Sequence, residues 1–137
     1  MERTPRRLKR RREFLHVARA GRKWAAPGLV LQAVDRRGAA PGDDGDGPDD
    51  IRVGFTVTRK VGGAVVRNRA RRRLRAAAEA VMPTHAAAGH DFVVIGRAGT
   101  LRRTFPALVG DLETALRRVG AWRDAAERAV GMERDEG

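Results

Sequence analysis

The sequence predicts a single small α+β domain, in which one β-sheet packs against helices in the order α-β-β-α-β-α. A chain of 137 residues has the size of one domain. Three short segments have the apolar pattern of strands, and three longer segments have apolar residues at helical spacing. Such a succession is typical of a sheet covered by a helical layer. We expect the domain to span residues 1–120, with residues 121–137 as a helical extension or a mobile tail.

The first helix is predicted over residues 10–19, after a basic leader. Phe14, Val17 and Ala18 fall on one helical face, and Gly21 is a suitable helix stop. Two roles are open for Phe14. It is either a core anchor or a partly exposed ring in a groove.

Two strands are predicted next, over residues 29–34 and 52–58. The connection between them, residues 36–50, is rich in Gly, Pro and Asp, which predicts a flexible acidic loop. An EF-hand is excluded there because its ligand positions would fall on Pro48 and Phe55. The second strand has an apolar face and a face that is either a groove floor or ordinary solvent-facing surface. The latter face carries Gly54, Thr56 and Thr58.

A long helix is predicted between the turn at Gly62-Gly63 and Met82, with Pro83 ending it. At about 100° per residue, an apolar stripe runs along one side of this helix. The stripe consists of Val66, Ala70, Leu74, Ala77 and Val81. Arg69 and Arg73 flank the stripe, and we expect their guanidinium groups to reach solvent. The opposite face carries Arg67, Asn68, Arg71, Arg72 and Arg75.

This basic face predicts a nucleic-acid partner. The chain has a formal net charge of +12, and no Asp or Glu occurs between Ile51 and Ala78. Like charges four residues apart destabilise a helix, and a bound polyanion would remove that repulsion. Arginine suits phosphate because its planar fork offers two donors. An arginine-rich solvated helix is the alternative. A membrane-surface helix is disfavoured because the apolar stripe contains no Trp or Phe.

The third strand is predicted over residues 91–97, where a continuous apolar run indicates burial on both faces. Thr104 is a candidate N-cap for a final helix that begins at Phe105-Pro106. Its apolar face should pack on the core. That face comprises Leu108, Leu112, Ala115, Leu116 and Val119.

No catalytic constellation is visible in the sequence. The chain has no cysteine, and its carboxylates do not cluster outside the acidic loop. His16, His85 and His90 have no metal-ligand spacing, so we expect them on the surface. Neither a membrane-length apolar run nor an apolar signal core is present. The expectation is a soluble cytoplasmic protein without catalytic or metal-binding residues of its own.

The residues around the basic helix resemble the signature of the bacterial ribonuclease P protein component. An Arg-Asn-Arg triplet, Arg67-Asn68-Arg69, stands in the first turns of a helix that follows a Val-Gly-Phe-Thr-Val strand. Lys60-Val61-Gly62 precedes the triplet, and Arg71-Arg72 and Leu74-Arg75 follow it. The resemblance extends from about Leu8 to Val119.

This resemblance implies the protein subunit of an endoribonuclease whose chemistry belongs to the RNA subunit. The protein would bind the catalytic RNA and the 5′ leader of precursor tRNA, and magnesium would be held mainly by the RNA. The resemblance implies no membrane partner, and the protein would not need to oligomerise. The RNA-binding residues would be Arg59, Lys60, Arg67, Asn68, Arg69, Arg71, Arg72 and Arg75.

The resemblance also implies a leader groove over the sheet. Its residues would be Phe14, Gln32, Thr56 and Thr58. Ala18 and Gln32 stand where the family often has aromatic residues, so the contacts to the leader should be more polar here. A βαβ crossover is right-handed in about 98% of cases, but the resembled family implies a left-handed one. The alternative function is a structural RNA-binding protein such as a ribosomal protein, which would not affect tRNA 5′ processing.

Overall fold

The computed structural model describes residues 5–36 and 49–124. Five strands, four helices and a 3-10 turn at Arg59–Val61 occur in this part of the chain. In chain order the elements are β1 (Arg6–Arg7), α1 (Arg11–Ala20), β2 (Arg22–Ala25), β3 (Leu29–Asp35), β4 (Arg52–Val57), α2 (Ala64–His85), β5 (His90–Gly96), α3 (Gly99–Arg102) and α4 (Phe105–Arg118). The predicted α+β class is confirmed. The predicted acidic loop and tail lie, for residues 37–48 and 125–137, outside the described residues.

The five strands form one mixed sheet in the order β1-β4-β5-β3-β2. Strands β1, β4 and β5 are parallel, and β3 is antiparallel to both β5 and β2. Helix α2 therefore connects two adjacent parallel strands, as expected for the βαβ unit, while the hand of this crossover stays a prediction. Strands β1 and β2 and the short helix α3 were not predicted. Both missed strands lie at sheet edges and have exposed side chains, so they lack an apolar alternation.

The main core lies between the sheet and the pair α2 and α4. Leu31 and Phe92, on the two central strands, are fully buried on this side, as is Leu74 of α2. Strand β5 is buried on both faces except at Ile95, which is half-buried. This burial confirms the prediction for the third strand. The Thr104 hydroxyl accepts a hydrogen bond from the Ala107 amide at 3.3 Å, which confirms the N-cap. The predicted core face of α4 is buried at Leu108, Leu112, Ala115, Leu116 and Val119.

Helix α1 covers part of the opposite face of the sheet. Val17 is fully buried there and packs with Leu8 and Val93 in a second, smaller cluster. Phe14 is half-buried against the same cluster. Ala18, predicted to share this face, is exposed. Helix α1 ends at Gly21, as predicted, and a Cβ there would lie 2.5 Å from the Val17 and Ala33 carbonyl oxygens. The close approach of two backbones therefore requires glycine.

A buried ion-pair network fastens α1 to the sheet. The Arg52 Nε and Nη2 atoms donate to the two Asp91 carboxylate oxygens at 2.8 and 2.6 Å, and Arg52 Nη1 donates to Glu13 at 2.7 Å. The other Glu13 oxygen accepts from the Arg10 amide at 2.9 Å. Arg36 adds a second guanidinium to Asp91 at 2.6 Å. Arg52 is only 6% exposed, so it belongs to the interior although it stands within the basic stretch of the sequence.

Helix α2 does not end at Pro83, as predicted, but continues to His85. The Arg123 guanidinium donates to the carbonyl oxygens of Thr84 and Pro83 at 3.0 and 2.7 Å. Because the last carbonyls of a helix have no partner within the helix, these bonds stabilise the final turn beyond the proline. Trp122 stacks on the His85 ring with the centroids 4.0 Å apart. Residues 121–124 thus run beside the end of α2 rather than extending α4.

Candidate nucleic-acid interface

Helix α1 covers only part of its face of the sheet, and we call the uncovered area beside it the candidate groove. The strand register aligns Gly54, Val93, Gln32 and Lys23 in one row across β4, β5, β3 and β2. The next row consists of Thr56, Ile95, Val30 and Ala25. Val93 is covered by α1, whereas the three inner residues of the second row are half-buried. The floor of the groove is therefore accessible and mixes apolar with small polar side chains.

Phe14 lies directly on this floor. A Cβ built on Gly54 would lie 2.4 Å from two carbon atoms of the Phe14 ring, so the ring rests against the glycine backbone. The ring also packs on the small cluster beneath α1, yet it remains partly exposed. Both roles considered for Phe14 are thus compatible with its position, as an anchor of α1 and as a ring at the groove.

Two other predicted groove residues, Gln32 and Thr56, lie on the same face. Gln32 and Thr56 are half-buried in adjacent rows, and Thr58 is exposed where β4 passes into the 3-10 turn. Sequence reasoning missed Val30, Ile95 and Lys23 as parts of this surface. The first two could have been found from the period-two alternation of their strands, since they stand between core-facing residues. Lys23 required the unpredicted strand β2.

The buried face of α2 is wider than predicted. Ala70, Leu74, Ala77 and Val81 are buried as expected, and Ala78 and Met82 are buried as well. The two additional residues shift the centre of the buried face toward the row that contains Arg67, Arg71 and Arg75. These three arginines are half-buried on the flank of the helix, not in the middle of an exposed face. Val66, predicted to begin the apolar stripe, is 37% exposed.

The fully exposed part of α2 carries Asn68, Arg69 and Arg72. Asn68 accepts a hydrogen bond from Arg71 Nη1 at 2.9 Å, which orients that guanidinium along the helix. The Nε atoms of Arg67 and Arg75 are buried and make no hydrogen bond within the described residues. Between Arg59 and Arg75, no basic residue forms an ion pair with a carboxylate within the described residues, and six of them also make no side-chain hydrogen bond there. These six are Arg59, Lys60, Arg67, Arg69, Arg72 and Arg75.

Arg73 differs from its neighbours, and the prediction that its guanidinium reaches solvent is wrong. Its Nε donates to the Thr100 carbonyl oxygen at 3.0 Å, and Nη2 donates to the carbonyl oxygen of Arg103. Arg103 in turn forms a bidentate pair with Asp111 at 2.9 and 2.8 Å. These bonds fix α3 between α2 and α4, so Arg73 is a structural residue.

The histidines also depart from the prediction. His16 is exposed as expected, but His90 is buried and His85 is half-buried. His90 Nδ1 lies 2.9 Å from the Ala88 carbonyl oxygen, which requires a proton on that nitrogen. Among the described residues, no group of three or more His, Cys, Asp or Glu could hold a metal ion. No helix in the described ranges is long and apolar enough to cross a membrane.

A family model described as Ribonuclease P matches residues 2–120. The chain belongs to the bacterial ribonuclease P protein family. The ribonuclease P protein component of Paramagnetospirillum magneticum is 58% identical over 115 residues, which cover 84% of this chain and 83% of that protein. The component of Gluconacetobacter diazotrophicus is 56% identical over 114 residues, covering 83% and 90%.

The fold is similar to solved structures of this family. The RNase P protein of Thermotoga maritima aligns with a TM-score of 0.61 and 27% identity, covering 77% of this chain and 90% of that chain. The Staphylococcus aureus protein aligns with a TM-score of 0.68, covering 88% and 100%, and at 22% identity it shows the fold alone. The chain is a protein component of ribonuclease P, the ribonucleoprotein endoribonuclease that processes precursor tRNA 5′ ends. Membership in the family implies association with the ribonuclease P RNA.

Proposed function

We propose that this protein contacts two RNAs through two different surfaces. The catalytic RNA is held by Arg59 and Lys60 and, on α2, by Arg67, Asn68, Arg69, Arg71, Arg72 and Arg75. The groove beneath Phe14 takes the single-stranded 5′ leader of precursor tRNA. Magnesium is held mainly by the RNA, the holoenzyme acts in the cytoplasm, and no protein oligomer is needed.

The observation that carries this proposal is the division of the arginines into two classes. Two arginines have protein acceptors: carboxylates surround the buried Arg52, and carbonyl oxygens accept from the half-buried Arg73. By contrast, the basic residues from Arg59 to Arg75 that lie outside the core have no carboxylate partner within the described residues. Clustered guanidinium groups without acids repel one another, and phosphates relieve that repulsion while releasing counterions.

The groove supports the second half of the proposal. Its floor offers one aromatic ring, two partly exposed aliphatic side chains, and the amide and hydroxyl groups of Gln32 and Thr56. Base stacking on one ring tolerates any sequence, because every base has a π-face. With Gln32 and Ala18 at the places of other family aromatics, Phe14 supplies the stacking at this site, and polar groups supply the rest.

The basic face of α2 suits phosphate better than a metal ion. Its side chains are cations and one amide, so they would repel free magnesium and attract an RNA that carries it. This chain would therefore contribute binding and positioning of the substrate rather than a group that reacts.

The test is reconstitution with a bacterial ribonuclease P RNA, measuring cleavage of precursor tRNA and affinity for precursor and mature tRNA. We expect the isolated protein to be inactive. Phe14→Ala should weaken binding of leader-bearing tRNA by about 1–3 kcal/mol and leave mature tRNA unaffected. Because the ring is half-buried, the same change should cost about 1–2 kcal/mol of stability. Equal losses on both tRNAs in a destabilised protein would contradict the groove assignment.

A further inference from the structure

Strand β2 is an exposed sheet edge with an unusual set of side chains. It pairs only with β3, so its outer backbone groups have no partner strand within the described residues. Its four residues, Arg22, Lys23, Trp24 and Ala25, are all exposed. Exposed edges are a risk for aggregation, and charged side chains are a usual protection. This protection accounts for Arg22 and Lys23, but it does not account for an exposed tryptophan.

The two tryptophans of the chain differ in how the fold uses them. Trp122 is half-buried, with the His85 ring stacked at 4.0 Å and the Arg117 guanidinium 4.2 Å from its centroid. Its contacts close the end of α2. Trp24 is 37% exposed, and the Arg118 guanidinium lies 5.1 Å from its ring centroid. About a third of the residue, with a cation beside the ring, therefore remains open to solvent.

The charges around Trp24 select an anionic partner. Arg22, Lys23 and Arg118 form no ion pair within the described residues. A second copy of this strand would bring like charges together across an antiparallel pair, which is unfavourable. An aromatic ring between unpaired cations is the combination that binds single-stranded RNA, with a base on the ring and phosphates on the cations.

The position of β2 decides which RNA this would be. Successive side chains of a strand point to opposite faces, so Lys23 and Ala25 extend the two groove rows, while Trp24 lies on the α4 side of the same edge. A single-stranded RNA that crosses the groove from β4 toward β2 leaves the groove over Lys23. If the RNA then turns around the sheet edge, it meets Trp24. The crossing spans three inter-strand spacings, roughly 14 Å in total.

We infer that Trp24, together with Lys23 and Arg118, is a second contact site for the precursor-tRNA leader, reached only by leaders long enough to cross the groove. This inference rests on the groove function proposed above. Trp24 stacks on a base beyond those that lie over Phe14, and Arg118 orients the indole and contacts phosphate. The site extends the leader-binding path from the sheet surface to the sheet edge.

The test uses the reconstituted holoenzyme and a series of precursor tRNAs with leaders of increasing length, together with mature tRNA. Trp24→Ala should leave the affinity for mature tRNA and for short-leader precursor unchanged. It should lower the affinity for long-leader precursor about fivefold or more, which corresponds to the lower end of base–aromatic stacking energies. Trp24→Phe should retain most of the affinity for long-leader precursor. Arg118→Gln should weaken long leaders, whereas the matched control Arg117→Gln, next to Trp122, should not.

A spectroscopic readout keeps the test independent of folding. Trp122→Phe leaves Trp24 as the sole tryptophan of the chain. Its emission in the holoenzyme should be quenched by long-leader substrate and be unaffected by short-leader substrate or mature tRNA. Unchanged emission at saturating long-leader substrate would overturn the inference, and so would quenching by the RNA subunit alone. If Phe14→Ala shows leader dependence and Trp24→Ala does not, the groove function stands and only this extension fails.

Discussion

At the scale of single residues, the position of an arginine decides its role more than its neighbours in sequence do. Arg52 and Arg72 both belong to the basic stretch, yet Arg52 is bound by two carboxylates inside the fold and Arg72 is exposed. Removing one partner of a buried ion pair leaves an uncompensated charge, which costs about 3–5 kcal/mol. Composition alone treats the two residues alike. Only the placement of Glu13 and Asp91 around Arg52 separates structural cations from those available to RNA.

Gly54 provides a prediction at the same scale. In Gly54→Ala the new Cβ would lie 2.4 Å from the Phe14 ring, so the ring must leave the groove floor. We expect a loss of leader-dependent affinity comparable to that of Phe14→Ala, roughly 1–3 kcal/mol, because the stacking surface is displaced. The measurement is the ratio of dissociation constants for precursor and mature tRNA in the holoenzyme.

Gly110→Ala is the matched control for this substitution. A Cβ at Gly110 would meet no atom within 4 Å, and the residue lies inside α4. The change should raise stability by about 0.5–1 kcal/mol, since alanine is the better helix former, and leave the ratio unchanged. A Gly54→Ala protein with an unaltered ratio would show that the ring position does not matter for the leader.

At the scale of elements, helix α2 joins a packing role to a binding role on adjoining surfaces. The sequence predicted its apolar stripe, but it missed the contribution of Ala78 and Met82, because small and flexible apolar residues at the flank are ambiguous on a helical wheel. The half-burial of Arg71 and Arg75 follows from that wider contact. Their expected role in RNA binding is unaffected, but substitutions at these two positions should also lower stability.

Charge reversal on α2 separates the two roles. Arg69→Glu with Arg72→Glu changes two exposed residues, so the melting temperature should stay nearly constant while affinity for the ribonuclease P RNA falls. Arg71→Glu with Arg75→Glu should lower both, because these side chains are half-buried and their stems pack on the protein. Thermal melting and RNA binding should be measured on both double variants. Full RNA affinity in the Arg69/Arg72 variant would show that the exposed face of α2 does not contact the RNA.

The end of α2 shows why its boundary could not be predicted. Proline lacks the backbone donor that a helix interior needs, so the sequence predicts that the helix ends at Pro83. The helix continues because Arg123, about forty residues later, supplies donors to its last carbonyls. Strands β1 and β2 were missed for a related reason, since edge strands are defined by backbone pairing to a distant partner rather than by an apolar pattern.

Arg123 is testable as a distant helix cap. Arg123→Ala removes two charge-assisted hydrogen bonds to the carbonyls of Pro83 and Thr84, and it should lower the free energy of unfolding by about 2 kcal/mol. Since these bonds lie at the end of α2 remote from the Arg-Asn-Arg triplet, RNA affinity of the folded protein should not change. Denaturant unfolding and RNA binding below the transition measure the two quantities. A stability equal to that of the unmodified chain would show that α2 needs no cap beyond Pro83.

At the scale of the whole molecule, the net charge of +12 is distributed by function. Part of it is neutralised inside the fold, where Arg52 and Arg103 pair with carboxylates. The remainder lies largely on exposed residues of the segment 6–12, of α2 and of the edge strand β2. The fold class followed from the sequence because it depends on the central strands and long helices. The partition of charge depends on ion pairs between distant segments, which no local pattern contains.

The salt dependence of RNA binding tests this partition. Each phosphate neutralised contributes about 0.7–0.9 to the slope of log K against log salt, so six unpaired basic residues predict a slope of about −4 to −5. The six are Arg59, Lys60, Arg67, Arg69, Arg72 and Arg75. Replacing Arg69 and Arg72 together by Gln should reduce the magnitude of the slope by about 1.5–2, because two phosphate contacts are lost.

The control is Arg103→Gln. This change should lower the stability of the fold but leave the slope unchanged, because the Arg103 charge is paired with Asp111 and does not face RNA. Affinity for the ribonuclease P RNA should be measured across a salt series for all three proteins. A slope that stays constant in the Arg69/Arg72 variant, or that falls in the Arg103 variant, would show that the unpaired arginines of α2 are not the ones that meet phosphate.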